Sequence, residues 1–434
     1  MIKKTLIIGL LGLLLMPCAK AQKAAPKSDT TLRLSLAEAQ AYARNHNATM
    51  ANATLDVKKA EQAKWETISS MLPQVTAGFD YQNMCGYEMH LGGFNVPMNP
   101  NGTFNVQAAI ALTGQQIVGA FINNLAQEMQ ETNRLMNEQT LNSTVKNVYV
   151  SILVMEQTVN LLDSSLANME RLLAQTQAAV NAGAAEQTDA DKLAVQVASI
   201  RSSINSTSLS HQMLYNSLIL QLGAGVNDTL ILTTGLDEIL SIDSAMQMLT
   251  KQFCIENNYS YQMLQQNERL AKDQVALAWA SFAPTISAYY QYSSKTYFGK
   301  DEGMNMTPPN VIGASIKLPL WQTGTRAFKI NQAKISLQET QNSKQQAEDG
   351  LKVQYKQLCN NLITSLEQYN IQTANIDVCT RVFDKVSEKY RYGQSSSLEV
   401  TQASSDLISA QSSYIQSVMN LISAQVALED LMNN

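Results

Sequence analysis

Two hydrophobic periods alternate along this 434-residue chain. Through residues 115–181 and again through 325–392, apolar positions recur every three or four residues without a proline, which predicts two helices of more than 65 residues each. At the helical rise each would reach about 100 Å. Four shorter stretches switch to strict alternation. Val75, Ala77, Phe79 and Tyr81 oppose Gln74, Thr76, Gly78 and Asp80, while Phe104, Val106, Ala108, Ile110 and Leu112 oppose Thr103, Asn105, Gln107, Ala109 and Ala111. Ile286, Ala288, Tyr290 and Tyr292, then Ile312, Ala314, Ile316 and Leu318, repeat the pattern, predicting four strands of roughly ten residues.

The pattern occurs twice because the chain is internally duplicated. "AEQAKWETISSMLPQVTAGFDY" (60–81) lies over "AKDQVALAWASFAPTISAYYQY" (271–292), aligning Pro73 with Pro284 at two helix-to-strand junctions. "AGAAEQTDADKLAVQVASI" lies over "YGQSSSLEVTQASSDLISA", aligning Gly183 with Gly393 and Asp189 with Glu399. The expected organisation is a leader at 1–21, a first structural repeat at 22–222, a linker at 223–243 and a second repeat at 244–434. Each repeat reads helix, strand, loop, strand, very long helix, glycine turn, shorter helix. The prolines are expected to end the helices before them, with 244–282 as one continuous helix in the second repeat.

After Gly393 the stripe Leu407, Ala410, Tyr414, Ser417, Leu421, Ala424, Leu428 and Leu431 steps by three and four, a coiled-coil seam repeated from Val197 to Leu218. Gln, Asn and Ser fill the remaining faces, which suits helices around a hollow tube and also suits an ordinary coiled coil. Gly183 and Gly393 are placed to reverse the chain between helices.

Composition changes the picture at one point. The start, "MIKKTLIIGLLGLLLMPCAKAQ", reads as a secretory signal cleaved after Ala21, with Pro17 arguing against lipidation of Cys18. Removing Lys3, Lys4 and Lys20 leaves 28 basic residues against 36 acidic ones, a net charge of −8, which disfavours nucleic acid as a partner. No later apolar run approaches the about 20 residues of a spanning helix. The four mature cysteines are scattered, with neither disulfide-framework nor zinc spacing.

The alternating strands match the about 9–11 residues of a tilted membrane strand, one face to lipid and one to a polar lumen. A small sheet packed on its own helices would alternate too. Four strands cannot close a barrel, for which about eight is the minimum, so a barrel requires several chains. The loops "NMCGYEMHLGGFNVPMNPNG" and "SSKTYFGKDEGMNMTPPN" carry the Gly, Pro and Asn of exposed turns.

Taken in order, "LSLAEAQAYARNHN", the two proline junctions, "IKLPLWQTGTR" and "KYRYGQSSSLEVTQASSDLISAQ" resemble the TolC-type outer-membrane efflux proteins over nearly all of the mature chain. The resemblance implies a mainly α fold with a membrane β-barrel. Four transmembrane strands and long antiparallel coiled-coil helices per chain would form a twelve-stranded trimeric barrel above an α-helical tunnel. It further implies a Gram-negative outer-membrane address, a passive duct for efflux or type I secretion, and no cofactor. Its partners would be a periplasmic adaptor meeting the tips at Gly183 and Gly393, and an inner-membrane pump of RND, ABC or MFS type. The family's narrow aperture falls on Glu399, with Asp189 its counterpart in the first repeat. Gln402 stands where a second acid can occur and Ser395 where some members carry arginine. Three Glu399 carboxylates in a ring would favour cations.

Other chemistry finds little support. His46, His90 and His211 are solitary, and no nucleophile triad, P-loop or dinucleotide fingerprint is present, so an enzyme is not expected. Met84, Cys85, Met89, His90, Met98, Met304 and Met306 are soft ligands, and loop composition accounts for their grouping. The alternative to a duct is a non-conducting, structural coiled-coil protein of the envelope.

Overall fold

The computed structural model describes residues 31–298, 308–320 and 324–433. The leader with Ala21 and Cys18, together with Met304 and Met306, lies outside them. In chain order the elements are β1 (Thr31–Leu34), α1 (Leu36–His46), α2 (Ala48–Ser69), β2 (Gln74–Gln82), β3 (Glu88–Leu91), β4 (Phe94–Pro97) and β5 (Asn101–Leu112). Then follow α3 (Gly114–Asn181), α4 (Gln187–Leu222), β6 (Thr229–Leu232), α5 (Leu236–Ile239), α6 (Ile242–Thr250) and α7 (Tyr259–Ala280). The chain closes with β7 (Thr285–Tyr297), β8 (Asn310–Lys317), α8 (Thr325–Arg391) and α9 (Ser397–Met432).

The two long helices form where the uninterrupted periodicity predicts them, with 68 residues in α3 and 67 in α8. The start of α3 is fixed by a capping box. Gln116 N donates to Thr113 Oγ1 at 3.1 Å and Thr113 N donates to Gln116 Oε1 at 2.9 Å, satisfying donors that the first turn leaves open. Along the sheet-proximal half α3 is flanked by α2 and α7, and α7 by α8. Along the other half α3 packs on α4 and α9, and α9 on α8. Each long helix is thus matched by shorter helices placed end to end.

Those shorter helices are broken where one continuous helix was expected. The segment 244–282 is not a single helix: α6 ends at Thr250, a 3-10 turn occupies Ile255–Asn257, and α7 begins at Tyr259. The first pre-strand helix is likewise divided at Asn47. In both places an asparagine in extended backbone offers its side-chain oxygen to the next helix, which is the chemistry of a new N-cap.

The stretch 223–243 holds more than a connection. Its strand β6 pairs in parallel with β1, Thr31 facing Thr229 and Leu34 facing Leu232. Beneath that pair lies a core of Leu34, Ala43, Val145, Tyr149, Ile152, Leu218 and Leu222. Tyr149 is fully buried, and its hydroxyl donates to Leu34 O at 3.2 Å while accepting from Thr234 N at 3.0 Å. A second core, of Met169, Leu172, Leu193, Ile200, Phe383, Val400 and Leu407, locks the two helical hairpins together near their tips. In the α9 seam Leu407, Ala410, Ser417, Leu421, Leu428 and Leu431 are buried. Val418, Ile422 and Val426 beside it are buried too, because α9 meets α3 as well as α8.

The four long strands make one antiparallel sheet in the order β2-β5-β7-β8. They contain 9, 12, 13 and 8 residues, and Leu318 falls just past the end of β8. The sheet does not close on itself, leaving β2 and β8 as its edges. In the first connecting loop β3 and β4 form a separate hairpin, Glu88 facing Pro97.

Candidate functional site

Register turns the alternation of single strands into two continuous faces. Phe79 lies opposite Phe104, Ala77 opposite Val106 and Val75 opposite Ala108. Val106 in turn faces Tyr292 and Ala108 faces Tyr290, which faces Ile312. Because side chains alternate with period two, every member of this row points to one side. That side is apolar and uncovered, with Phe79 66%, Ile316 66% and Ile312 85% exposed. An open apolar face on this scale marks a surface meant for lipid or for another protein.

The opposite face is polar and internally bonded. Thr76, Gln107 and Gln291 align across three strands, as do Gly78, Asn105 and Ser293. Ser293 Oγ donates to Asn105 Oδ1 at 2.7 Å, and Asn105 Nδ2 donates to Asp80 Oδ2 at 3.2 Å. Ser287 and Ser315 share a hydrogen bond at 2.8 Å on the same side.

Pro73 and Pro284 stand at the two passages from helix to sheet, but they open the strands instead of ending the helices. α2 ends at Ser69 and α7 at Ala280, and a tightened last turn follows each before the proline. There Leu72 N donates to Ser69 O at 3.1 Å and Ala283 N donates to Ala280 O at 3.1 Å. Gln74 Nε2 bonds Ser69 O at 2.9 Å and so satisfies a helix-end carbonyl from the first residue of the strand. The proline supplies a fixed φ compatible with extended chain, after the helix has already stopped.

At the far end the hairpin turns are built alike. Gly183 has φ +74° and Gly393 φ +70°, the left-handed region in which a side chain is strained. Ala184 N reaches back to Ala179 O at 2.8 Å and Gln394 N to Lys389 O at 2.9 Å, with inner bonds from Gly183 to Val180 and from Gly393 to Tyr390. Both are Schellman turns.

The sequence-singled acids sit just beyond these turns, and the structure does not join them directly. Ser397 Oγ donates to Asp189 Oδ1 at 2.5 Å, tying the start of α9 to the start of α4, and Lys192 Nζ stands 3.8 Å from the same carboxylate. Glu399 accepts instead from Ser395 Oγ and holds its backbone N–H on Ser396 Oγ at 3.2 Å. Gln402 Nε2 donates to Asp406 at 2.8 Å. Glu399, Gln402 and Asp406 follow one exposed face of α9 at helical spacing. A second tie between hairpins, Thr176 Oγ1 to Tyr390 hydroxyl at 2.9 Å, was not singled out from sequence. Its signal was available, since Tyr390 lies three residues before Gly393 on the inward side of α8.

In the outer loop Cys85 takes a positive φ of 52° and is exposed. No group of three or more His, Cys, Asp or Glu side chains able to hold a metal occurs among the described residues.

Against known proteins, residues 252–434 match the family model described as outer membrane efflux protein. That stretch is similar to the outer membrane efflux protein family. The efflux-protein fold extends over the rest of the chain as well. CusC, solved for conformational changes accompanying folding and transmembrane channel formation, superposes with TM-score 0.76 over 95% of each chain at 16% identity. The outer membrane protein VceC of Vibrio cholerae gives 0.73 over 92% of this chain and 96% of its own at 14% identity. The open state of the Neisseria gonorrhoeae MtrE outer membrane channel gives 0.73 over 92% and 89% at 16% identity. No curated protein sequence matches the chain. At such identities the likeness is one of fold, with few residues in common.

Proposed function

We propose that the chain is the outer-membrane channel of a tripartite efflux or type I secretion system of a Gram-negative cell, a passive duct across the outer membrane and periplasm. The observation that carries this reading is the sheet. It has one apolar, uncovered face, one hydrogen-bonded polar face and two free edges, and it continues into helices about 100 Å long. Strand directions alternate across β2, β5, β7 and β8, so β8 of one copy and β2 of the next would meet antiparallel, as a closed barrel requires. Three copies give twelve strands, with the apolar row toward lipid and Thr76, Gly78 and Asp80 toward the lumen.

The hairpin ends are the periplasmic aperture and the contact for a periplasmic adaptor, which in turn meets an inner-membrane pump of RND, ABC or MFS type. Gly183 and Gly393 form the adaptor-facing turns, and Glu399, Gln402 and Asp189 line the narrow end. The Asp189–Ser397 and Thr176–Tyr390 bonds hold both hairpins of one chain together there, so opening would move them as a unit. Addition of purified protein to a planar lipid bilayer should give discrete current steps, and the unheated sample should migrate as a heat-sensitive trimer. A well-folded protein that inserts without current would leave the structural, non-conducting role in its place.

A further inference from the structure

Where β7 and β8 pass into the helices lies a cavity of ≈ 410 Å³. Lys317, Arg326 and Lys329 line it, and among the described residues its wall contains no carboxylate. In a chain with 36 acidic residues against 31 basic ones, three cations gathered without an acid oppose the average composition. Among the described residues none of the three forms an ion pair; the salt bridges engage other cations. Arg326 is held in place by donating from Nη1 to Pro319 O at 3.1 Å and by lying 5.4 Å from the Phe282 ring centre. Its remaining guanidinium donors stay available for a ligand.

The backbone adds to the same field. The starts of α3 and α8, the two longest helices, both reach the cavity through Gly114 and Thr325. Both starts carry a positive dipole end; the capping box of α3 already takes the N–H donors of Thr113 and Gln116, whereas α8 adds open N–H donors. Gly324, which precedes α8, gives no side-chain cap, so no side-chain oxygen of that residue competes for those donors. Gly114 permits the close approach, since a Cβ there would stand 2.8 Å from Ala283 Cβ and 3.0 Å from Ala280 O. Three like charges facing one space repel unless an anion sits between them.

We propose that this cavity binds a phosphate-class anion, supplied either by a lipid headgroup or by a free phosphate. A guanidinium held in place, two exposed ammonium groups and helix-start amides are a set that recognises a phosphate oxygen cluster. A lipid would reach the cavity along exposed Trp279, Phe282 and Phe328, at the depth where aromatic side chains favour the membrane interface. Only that lipid source rests on the barrel reading; binding of free phosphate does not.

The test uses the full-length protein, delipidated in detergent, titrated with inorganic phosphate, with short-chain phosphatidylglycerol and with the corresponding diacylglycerol. Saturable binding of either phosphate probe, absent for diacylglycerol, is expected. Lys317→Gln with Lys329→Gln should weaken it roughly tenfold. Lys334→Gln should leave it unchanged, because that ammonium lies 5.8 Å from the Trp279 ring and outside the cavity lining. Preference for phosphatidylglycerol identifies a lipid site, and preference for inorganic phosphate a solute site. Should the double variant fail to fold, Lys329→Gln alone serves, as this side chain is exposed and unpaired among the described residues. No saturable binding of either probe, or equal affinity in wild type and variant, overturns the proposal. Conductance is unaffected by that outcome, so failure of the anion site and failure of the channel reading are separable.

Discussion

Asn47 and Asn258 make the same joint at equivalent places in the two halves of the chain. Asn47 Oδ1 accepts from Thr49 N at 2.7 Å while its Nδ2 donates to Gln221 O, at the end of α4, at 2.7 Å. Asn258 Oδ1 accepts from Tyr261 N at 3.1 Å while its Nδ2 donates to Leu431 O, at the end of α9, at 2.9 Å. Both side chains are buried. One amide therefore caps a helix and splices it to the end of another, which is how two shorter helices come to match one long one.

Replacing Asn258 by Ala removes the cap and leaves a buried carbonyl of α9 without its donor. The expected loss is about 1–3 kcal/mol, and Asn258→Asp, which keeps the cap but lacks the amide donor, should recover only part of it. Thermal unfolding of the detergent-solubilised protein measures both. Equal melting of wild type and Asn258→Ala would show that the joint contributes nothing.

Glu268 links α7 to α8. Its carboxylate accepts from Lys272 Nζ at 2.6 Å and Lys344 Nζ at 2.9 Å, and these two bonds hold it down at about 2, from an ordinary 4.5. A depressed carboxylate stabilises the fold at pH above its unfolded value and loses that contribution as pH falls through about 2. Solvent screening keeps the effect small, so Glu268→Gln should cost about 0.5–1 kcal/mol at neutral pH. The difference from wild type should shrink steadily below pH 4.5, as followed by urea unfolding across pH.

Val106 and Gln107 are neighbours on β5 at one depth and on opposite faces of the sheet. Arginine at position 106 should impair membrane assembly, by about 2–4 kcal/mol near the membrane midplane. Arginine at position 107 should assemble and alter ion preference instead. Yield of heat-sensitive trimer after outer-membrane fractionation reads the first effect, and equal yields would refute the assignment of faces.

Glu399→Gln should lower cation preference in planar bilayers, and unchanged selectivity would remove Glu399 from the narrow end. Asp189→Ala cuts the bond from Ser397, so the two hairpins should no longer move as a unit and single current steps in planar bilayers should break into sub-levels. Ser397→Ala should do the same if the bond, not the charge, holds the hairpins.

Much of this architecture is written in periodicity. Helices of 68 and 67 residues, the alternating strands and the glycine turns all depend on local pattern, which a sequence displays directly. What was hidden depends on distant partners. Asn47 stands in "RNHNAT" and Asn258 in "IENNYS", and nothing nearby reveals that their amides meet Gln221 and Leu431. The offset of 211 that aligns Pro73 with Pro284 also aligns these asparagines, so extending the comparison upstream would have exposed the joint. The prolines misled for a different reason: a helix can end by tightening its last turn, which leaves no single residue as its mark. For the acids, spacing located Asp189 and Glu399 but not their partners, because Ser397 and Ser395 are common residues with no pattern of their own.

The pairing of β1 with β6 gives the chain a timetable. Thr31 has no strand to join until Thr229 and its neighbours have been made and delivered, so the earliest strand must wait for nearly half of the polypeptide. Until then the core around Tyr149 cannot close, because the Tyr149 hydroxyl draws Leu34 from one end of that wait and Thr234 from the other.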